Sequence, residues 1–142
     1  MSDWNDKIIA EFRDNEGVVG GPFAGSHLLL LHTTGAKSGK QRVSPMMYFT
    51  EPEGLFVVAS KAGADDNPAW FHNLVATPAV AVEQATDDGV TTFTATAEPV
   101  DPALRDDLYA RIVRRAPGFG AYQEKTDRII PIVKLTPTEG AR

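Results

Sequence analysis

Residues 27–50 read HLLLLHTTGAKSGKQRVSPMMYFT, with an apolar, β-branched or aromatic run of strand length on each side of a loop of glycine, serine and lysine. Most links between such runs are short and turn-like, which favours antiparallel hairpins. The chain has six runs of this kind, at 27–34, 42–50, 55–60, 79–84, 90–100 and 129–136. The sequence therefore predicts a mainly β fold, a closed or split barrel of about six antiparallel strands.

Helices are predicted before and between these strands. Trp4, Ile8 and Phe12 recur at helical spacing, so we expect residues 1–25 to form an N-terminal helix with a flexible glycine-rich link, and residues 26–142 to form the barrel domain. Two inserted helices each begin with proline behind a capping side chain. Asn67-Pro68 opens the helix predicted over 68–76, and Asp101-Pro102 opens the helix predicted over 102–115.

Composition restricts the chemistry. The 142 residues are 42% hydrophobic and 23% charged, which suits one folded domain. The chain has no cysteine, which excludes disulfides, thiolate nucleophiles and Cys-based metal sites. Its start is polar and acidic, and its longest aliphatic run is Leu28–Leu31. We therefore expect no signal or membrane-spanning segment and a cytoplasmic location.

Charge is unevenly distributed. The net charge of -5 has the wrong sign for binding nucleic acid through its phosphates. Lys37, Lys40 and Arg42 nevertheless lie within six positions with no acid among them, which suits a small anion. The loop is not a nucleotide-binding P-loop, because three residues separate Gly35 from Gly39 and no Ser or Thr follows the lysine. It is either an anion-binding turn or a solvated hairpin tip.

Side chains for acid-base, nucleophilic or metal chemistry are scarce. His27 and His32 lie five apart on one predicted strand, so they face opposite sides and cannot share a metal. His72 has no nearby second ligand in the sequence. No carboxylate pair suits hydrolysis, and there is no nucleophile elbow. We therefore expect no metal, and we expect any reaction to be carried by a bound cofactor.

Two further segments can line a ligand pocket. The loop at 60–66 runs into a helix whose N–H groups and positive dipole end suit an anion, and Trp70 on that helix can floor a planar ligand. Phe119 and Tyr122 lie three apart on a glycine-flexible segment and can cap a pocket, with the Tyr122 hydroxyl available as a proton donor. Packing of these helices on the barrel is the alternative in both cases.

Taken together, three segments resemble the deazaflavin-dependent nitroreductases. They are TTGAKSGKQR at 33–42 with Pro45-Met46, ASKAG at 59–63 with NPAWFHNL at 67–74, and YQEKTDR at 122–128 with Pro131. The resemblance implies a split β-barrel that uses the 8-hydroxy-5-deazaflavin coenzyme F420 as a hydride carrier. It also implies an F420H2-dependent reductase whose acceptor is a quinone, an enone or lactone, or a nitroaromatic.

The resemblance further implies which residues hold the coenzyme. The phosphate and oligoglutamate tail would be held by Lys37, Ser38 and Arg42, with Lys40 at the rim. The deazaflavin would be surrounded by three further sets: Pro45, Met46 and Met47 along the ring, Ser60, Lys61, Ala62 and Gly63 at its polar edge or phosphate, and Asn67, Pro68, Trp70 and Asn73 on the remaining wall.

Phe119 and Tyr122 would belong to the substrate pocket, with Tyr122 or water protonating the product. Phe119 stands where nitroimidazole-reducing members of the family carry tyrosine, which favours a quinone, enone or lactone as acceptor. The alternatives are an FMN-dependent split-barrel reductase or oxidase and a coenzyme-binding protein without turnover.

The expected partner is a small-molecule hydride acceptor, with the chain a monomer or a homodimer. In relatives the N-terminal helix can cover the site or touch the membrane surface. The net charge of about -3 on residues 1–25 opposes an anchor on anionic lipid. The expected location is therefore cytoplasmic, with a peripheral contact at the inner face of the membrane as the alternative.

Overall fold

The computed structural model describes residues 3–14, 28–86 and 89–138. Their secondary structure is, in chain order, α1 (Asp3–Asp14), β1 (Leu28–Thr34), β2 (Gln41–Met47), β3 (Phe49–Glu51), β4 (Gly54–Val58), a single 3₁₀ turn (Lys61–Gly63), α2 (Ala69–Ala76), β5 (Ala79–Thr86), β6 (Gly89–Pro99), α3 (Pro102–Arg115), α4 (Gly118–Glu124) and β7 (Ile132–Pro137). No helix within these ranges is long and apolar enough to cross a bilayer.

The strands form one antiparallel sheet in the order β2-β1-β5-β6-β7-β4-β3. Strands β2 and β3 lie at its two edges, although only Tyr48 separates them in the chain. Two residues of extended chain span about 7 Å, so the sheet must curl until its edges meet. Since β2 and β3 do not pair, the barrel stays split along this seam.

The apolar run in β1 reflects burial on both faces of the strand. Leu29 and Leu31 face the barrel interior, whereas Leu28 and Leu30 face α1, and all four side chains are fully buried. This explains why the strand lacks the polar alternation of a half-exposed strand.

Three helices cover different parts of the barrel. Ile8 and Phe12 of α1, four residues apart, pack on the outer face of β1 and β5. Leu74 of α2 packs into the barrel interior. Leu108 and Ile112 of α3 pack outside β3, β4 and β7. The interior of the barrel and its outer faces therefore form separate apolar clusters.

The predicted mainly β barrel is confirmed, with two differences of detail. The run predicted as one strand over 42–50 is broken at Tyr48 into β2 and β3, because the chain crosses there from one sheet edge to the other. The glycine-rich segment that carries Phe119 forms α4 instead of a flexible link. Gly118 and Gly120 disfavour a helix, but Phe119 packs edge-on against Phe49 at 5.5 Å, so tertiary contacts outweigh local propensity.

The boundary expected between residues 1–25 and the barrel stays a prediction, because residues 15–27 lie outside the described ranges.

Candidate functional site

A cleft of about 520 Å³ lies where the loop between β1 and β2 meets α2. Five residues predicted from the sequence for coenzyme binding line it: Lys37, Ser38, Arg42, Trp70 and Asn73. Five residues that the sequence analysis did not assign to the coenzyme complete the lining: Gly35, Ala36, Ser44, Ala69 and His72. The structure thus brings two distant segments of the predicted site together.

The loop at the cleft has a fixed shape. The Gly35 N–H donates to the Lys40 carbonyl at 2.8 Å, and the Gly39 N–H donates to the Gly35 carbonyl at 2.9 Å. Gly39 has φ +71°, which favours glycine. A Cβ on Gly35 would lie 2.5 Å from Ser38 Oγ. These two glycines allow a tight turn that presents the lysines without internal strain.

Asn73 connects this loop to α2. Its Oδ1 accepts from the Ala36 N–H at 2.9 Å, and its Nδ2 donates to Thr33 Oγ1 at 3.2 Å. The Asn73 and Thr33 side chains are both buried. The resemblance assigned this amide to the coenzyme wall. In the structure its oxygen and one of its N–H groups are hydrogen-bonded to the protein itself.

The cations of the loop have no ion-pair partner among the described residues. Within the described ranges, no carboxylate forms an ion pair with Lys37, Lys40 or Arg42. All three side chains are exposed, and Lys37 and Arg42 line the cleft. Their field is therefore directed at the cleft and at solvent, which suits an anionic ligand.

Strand alternation separates the three residues predicted to line the deazaflavin. Met46 packs with Trp70 in the interior cluster, whereas Met47 packs with the clusters outside the barrel. Pro45 lies on the same face of β2 as Met47, because successive residues of a strand point to opposite sides. The three side chains do not face one common surface.

The turn between β4 and α2 is held by an ion pair of its own and lies close against α4. Lys61 Nζ donates to Asp66 at 3.0 Å, and this hydrogen bond lowers the pKa of Asp66. The Lys61 ammonium is thus already paired with a carboxylate. Gly63 is buried with φ +84°, and a Cβ there would lie 2.7 Å from the Tyr122 carbonyl oxygen. Glycine is required here because α4 approaches the turn so closely.

The expected cap of α2 is wrong. Asp101 caps α3 as predicted, with its Oδ1 accepting from the Leu104 N–H at 3.0 Å. Pro68 instead occupies the cap position of α2 with no side-chain hydrogen bond. Asn67 Oδ1 accepts from Arg128 Nη1 at 2.6 Å. A stronger charged donor from a distant segment has taken the oxygen that a local cap would use.

Phe119 and Tyr122 lie together on α4, as the spacing predicts. Their rings meet edge to face at 5.5 Å, and both pack on the apolar cluster outside β3 and β4. The Tyr109 hydroxyl donates to the Phe119 carbonyl at 2.6 Å and fixes the start of the helix. The Tyr122 hydroxyl has no hydrogen-bond partner in the part of the chain that the structure describes. Phe119 and Tyr122 are not among the residues that line the cleft.

Sequence reasoning missed the residues that hold the turn and α4 together. Arg128 donates to three carbonyl groups of the turn, and Gln123 Nε2 donates to the Arg128 carbonyl at 2.6 Å. Both residues stand in the quoted segment YQEKTDR, which was the signal available, but nothing in a sequence pattern says that a guanidinium faces carbonyl oxygens sixty residues away.

No three acidic or histidine side chains within residues 3–14, 28–86 and 89–138 are grouped so as to hold a metal ion. The described side chains of the cleft instead offer cations, an amide and an aromatic ring, a donor set that suits an organic anion.

Comparison with known proteins identifies the family of this chain. The model of the F420H(2)-dependent quinone reductases matches residues 4–137, nearly the whole chain. The chain belongs to this family. An F420H(2)-dependent quinone reductase of Mycobacterium tuberculosis is 38% identical over 133 residues, covering 89% of this chain and 85% of the relative.

Two solved structures, one of them of an F420-H2 dependent reductase, share the fold. A structure titled F420-H2 dependent reductase (FDR-A) has a TM-score of 0.66 and 36% identity over 76% of this chain and 92% of that one. Another, described as a domain-swapped dimer, has a TM-score of 0.67 and 34% identity over 94% of this chain and 97% of that one. The predicted split-barrel fold, enzyme class and dependence on F420 are thereby confirmed.

Proposed function

We propose that this member of the family reduces a quinone with F420H2 and binds the anionic tail of the coenzyme in the cleft between the β1–β2 loop and α2. The observation that carries the proposal is that Lys37 and Arg42, on the wall of that cleft, form no ion pair within the described residues. They stand in a chain of net charge -5. An acidic protein that keeps cations unpaired at a cleft is suited to a small anion.

The lining of the cleft fits the coenzyme's chemistry. A phosphate and carboxylates need charge-assisted donors, which Lys37, Arg42 and the Ser38 hydroxyl can supply. Trp70 adds an aromatic surface beside them. When bound, the reduced deazaflavin supplies the hydride. The chain's own part is to bind and orient the coenzyme, to exclude water and to place a proton donor.

We assign the proton-donor position to the Tyr122 hydroxyl, with Phe119 beside it in the acceptor pocket. Support comes from the lack of any hydrogen bond to that hydroxyl within the described ranges and from the contact of α4 with the turn at Lys61–Gly63. We assign Ser60, Ala62 and Gly63 to the ring-binding turn on the resemblance. Asn67 and Pro68 support that turn, and Lys61 contributes its backbone.

The decisive experiment is a fluorescence titration with F420, with FMN titrated in parallel and F420H2 oxidation by a quinone followed optically. We expect F420 to bind and FMN to bind weakly. Replacement Lys37→Glu or Arg42→Glu should weaken F420 binding by about tenfold to a hundredfold, since a charge-assisted hydrogen bond contributes about 1.5–3 kcal/mol. The effect should shrink with added salt.

Arg114→Glu is the matched control. Arg114 is exposed at the end of α3 and does not line the cleft, so the same change of charge should leave F420 affinity within about twofold. If all three variants lost the same F420 affinity, the effect would be one of net charge, and the proposed site for the coenzyme tail would be refuted. Tighter binding of FMN than of F420 would refute the coenzyme assignment.

A further inference from the structure

The turn after β4 adopts a backbone conformation that its own sequence does not favour. Ser60 has φ -76° and ψ -38°, and Lys61 follows with φ +46°. Among the non-glycine residues in the described ranges, Lys61 alone has a positive φ. A lysine has no side-chain feature that favours this region, so surrounding contacts must hold it there.

Arg128 provides those contacts. Its guanidinium makes five hydrogen bonds to the segment 59–67: Nε and Nη2 to the Ala64 carbonyl at 3.0 and 2.8 Å, Nη2 to the Ser60 carbonyl at 3.0 Å, Nη1 to the Ala59 carbonyl at 3.1 Å and Nη1 to Asn67 Oδ1 at 2.6 Å. A guanidinium has five N–H donors, so one side chain commits its whole capacity to one turn.

No carboxylate in the described part of the chain pairs with this guanidinium. An arginine used for surface charge would face solvent or an acid. Arg128 is instead half-buried and faces carbonyl oxygens, so its role is to fix backbone geometry. Lysine could not replace it, because an ammonium has three donors on one nitrogen, whereas the planar guanidinium directs its N–H donors outward in fixed directions.

Arg128 is itself fixed to α4 and α3. Gln123 Nε2 donates to the Arg128 carbonyl at 2.6 Å, and Gln123 Oε1 accepts from the Ile130 N–H at 3.1 Å and from Arg105 Nη2 at 2.6 Å. Tyr122 precedes Gln123 on the same helix. The guanidinium therefore sets the position of the turn relative to the helix that carries Tyr122.

We propose that Arg128 is a positioning residue, which holds the turn at Ser60–Gly63 and Tyr122 in the relative arrangement that coenzyme binding and hydride transfer require. The inference rests on the proposed function and deepens it. It assigns to Arg128 no contact with the coenzyme or the acceptor.

The test compares Arg128→Lys and Arg128→Ala with the wild type, and with Arg111→Lys as control. Arg111 also binds several groups, namely Glu51, Glu53 and Asp107, but none of them lies in the turn. The first readout is hydrogen exchange of the coenzyme-free protein at the Gly63 and Ala64 amides, which donate within the turn to the Ser60 and Lys61 carbonyls. The others are F420 affinity and kcat at saturating F420H2.

We expect these two amides to exchange at least about tenfold faster in both Arg128 variants. F420 affinity and kcat should each fall about tenfold, since several hydrogen bonds to a charged group are lost. Millimolar methylguanidinium should restore part of both in Arg128→Ala, because it can enter the space left by the side chain. The Arg111 variant should lose thermal stability but keep affinity, kcat and exchange at the turn.

The outcomes separate the two proposals. A wild-type protein that neither binds F420 nor oxidises F420H2 overturns the proposed function, and this inference with it. If the wild type binds and turns over, while folded Arg128 variants stay within about twofold in exchange, affinity and kcat, the inference alone is overturned. If thermal stability falls and these three quantities do not, Arg128 is structural only and the inference is again overturned.

Discussion

At the scale of single residues, Asn73 shows how a side chain on the wall of a cleft can be hydrogen-bonded to the protein itself. Its amide is the one group on α2 that accepts from the Ala36 N–H and donates to Thr33 in the described structure. Because both partners are protein groups, we expect Asn73 to act by placing Lys37 and Ser38, which follow Ala36 in the loop.

Replacement Asn73→Leu should therefore lower both stability and coenzyme affinity. The substitution leaves the buried Thr33 hydroxyl without its donor, which costs about 1–3 kcal/mol, and it removes the acceptor of the part-buried Ala36 N–H. Urea unfolding measures the first effect, and F420 titration the second. Thr33→Val removes one of the two bonds and leaves the loop anchored, so its effect on affinity should be the smaller. Affinity equal to that of the wild type in Asn73→Leu would contradict this role.

At the scale of elements, the contact between the turn and α4 depends on one glycine. Gly63 combines φ +84° with a backbone oxygen 2.7 Å from the position of a Cβ. Gly39 has a similar φ of +71° but no atom within 4 Å of that position. Both glycines therefore have a positive φ that favours glycine, but only Gly63 has another atom close to the position of a Cβ.

Comparison of Gly63→Ala with Gly39→Ala separates these two effects. The positive φ alone should cost about 1–2 kcal/mol in each variant. Gly63→Ala should lose more stability than Gly39→Ala, because the Tyr122 carbonyl belongs to the backbone and cannot move without displacing α4. Chemical denaturation at one pH measures the difference. Equal losses would mean that α4 adjusts without cost.

A second element, α1, is held to the barrel by apolar packing and by an ionic contact between Arg13 and Glu83. Arg13 Nη2 donates to Glu83 Oε2 at 2.8 Å, and His32 Nε2 lies 2.5 Å from the same oxygen. Burial alone would raise the pKa of Glu83, but the hydrogen bonds from Arg13 and His32 outweigh it and lower the pKa. Glu83 is therefore ionised at neutral pH and keeps α1 attached near β1 and β5.

At the scale of the whole molecule, stability should fall in acid through paired carboxylates. Arg111 binds Glu53 with two nitrogens, both at 2.9 Å, and this hydrogen bonding lowers the pKa of Glu53 from 4.5 to about 2. A folded pKa below the unfolded one means that the unfolded chain takes up its proton first. The stabilisation is complete above pH 4.5 and is lost as pH falls toward 2.

We expect the thermal midpoint to drop across pH 4.5 to 2, and to drop less in Glu53→Gln, which carries no proton-linked group at that position. Scanning calorimetry of both proteins at several pH values over this interval measures the difference. Parallel curves for the two proteins would contradict the assignment to Glu53.

The sequence by itself determined the class of fold, because periodicity and turn chemistry are local. The strand runs, the Asp101 cap of α3 and the basic loop were all readable from neighbouring residues. The family was readable from three short segments in the expected order. Candidate site residues that lie on one loop, such as Lys37, Ser38 and Arg42, were predicted together for the same reason, and all three line the cleft.

Only the tertiary structure decided which of these segments meet and what each polar side chain contacts. Four features depend on residues far apart in the chain. They are the closure of the sheet at Tyr48, the separation of Met46 from Met47, the hydrogen bonds of Asn73 and the hydrogen bonds of the Arg128 guanidinium. The physical reason is that a buried donor or acceptor must be paired, and a long-range partner that offers charge or better geometry displaces the local partner that sequence patterns can predict.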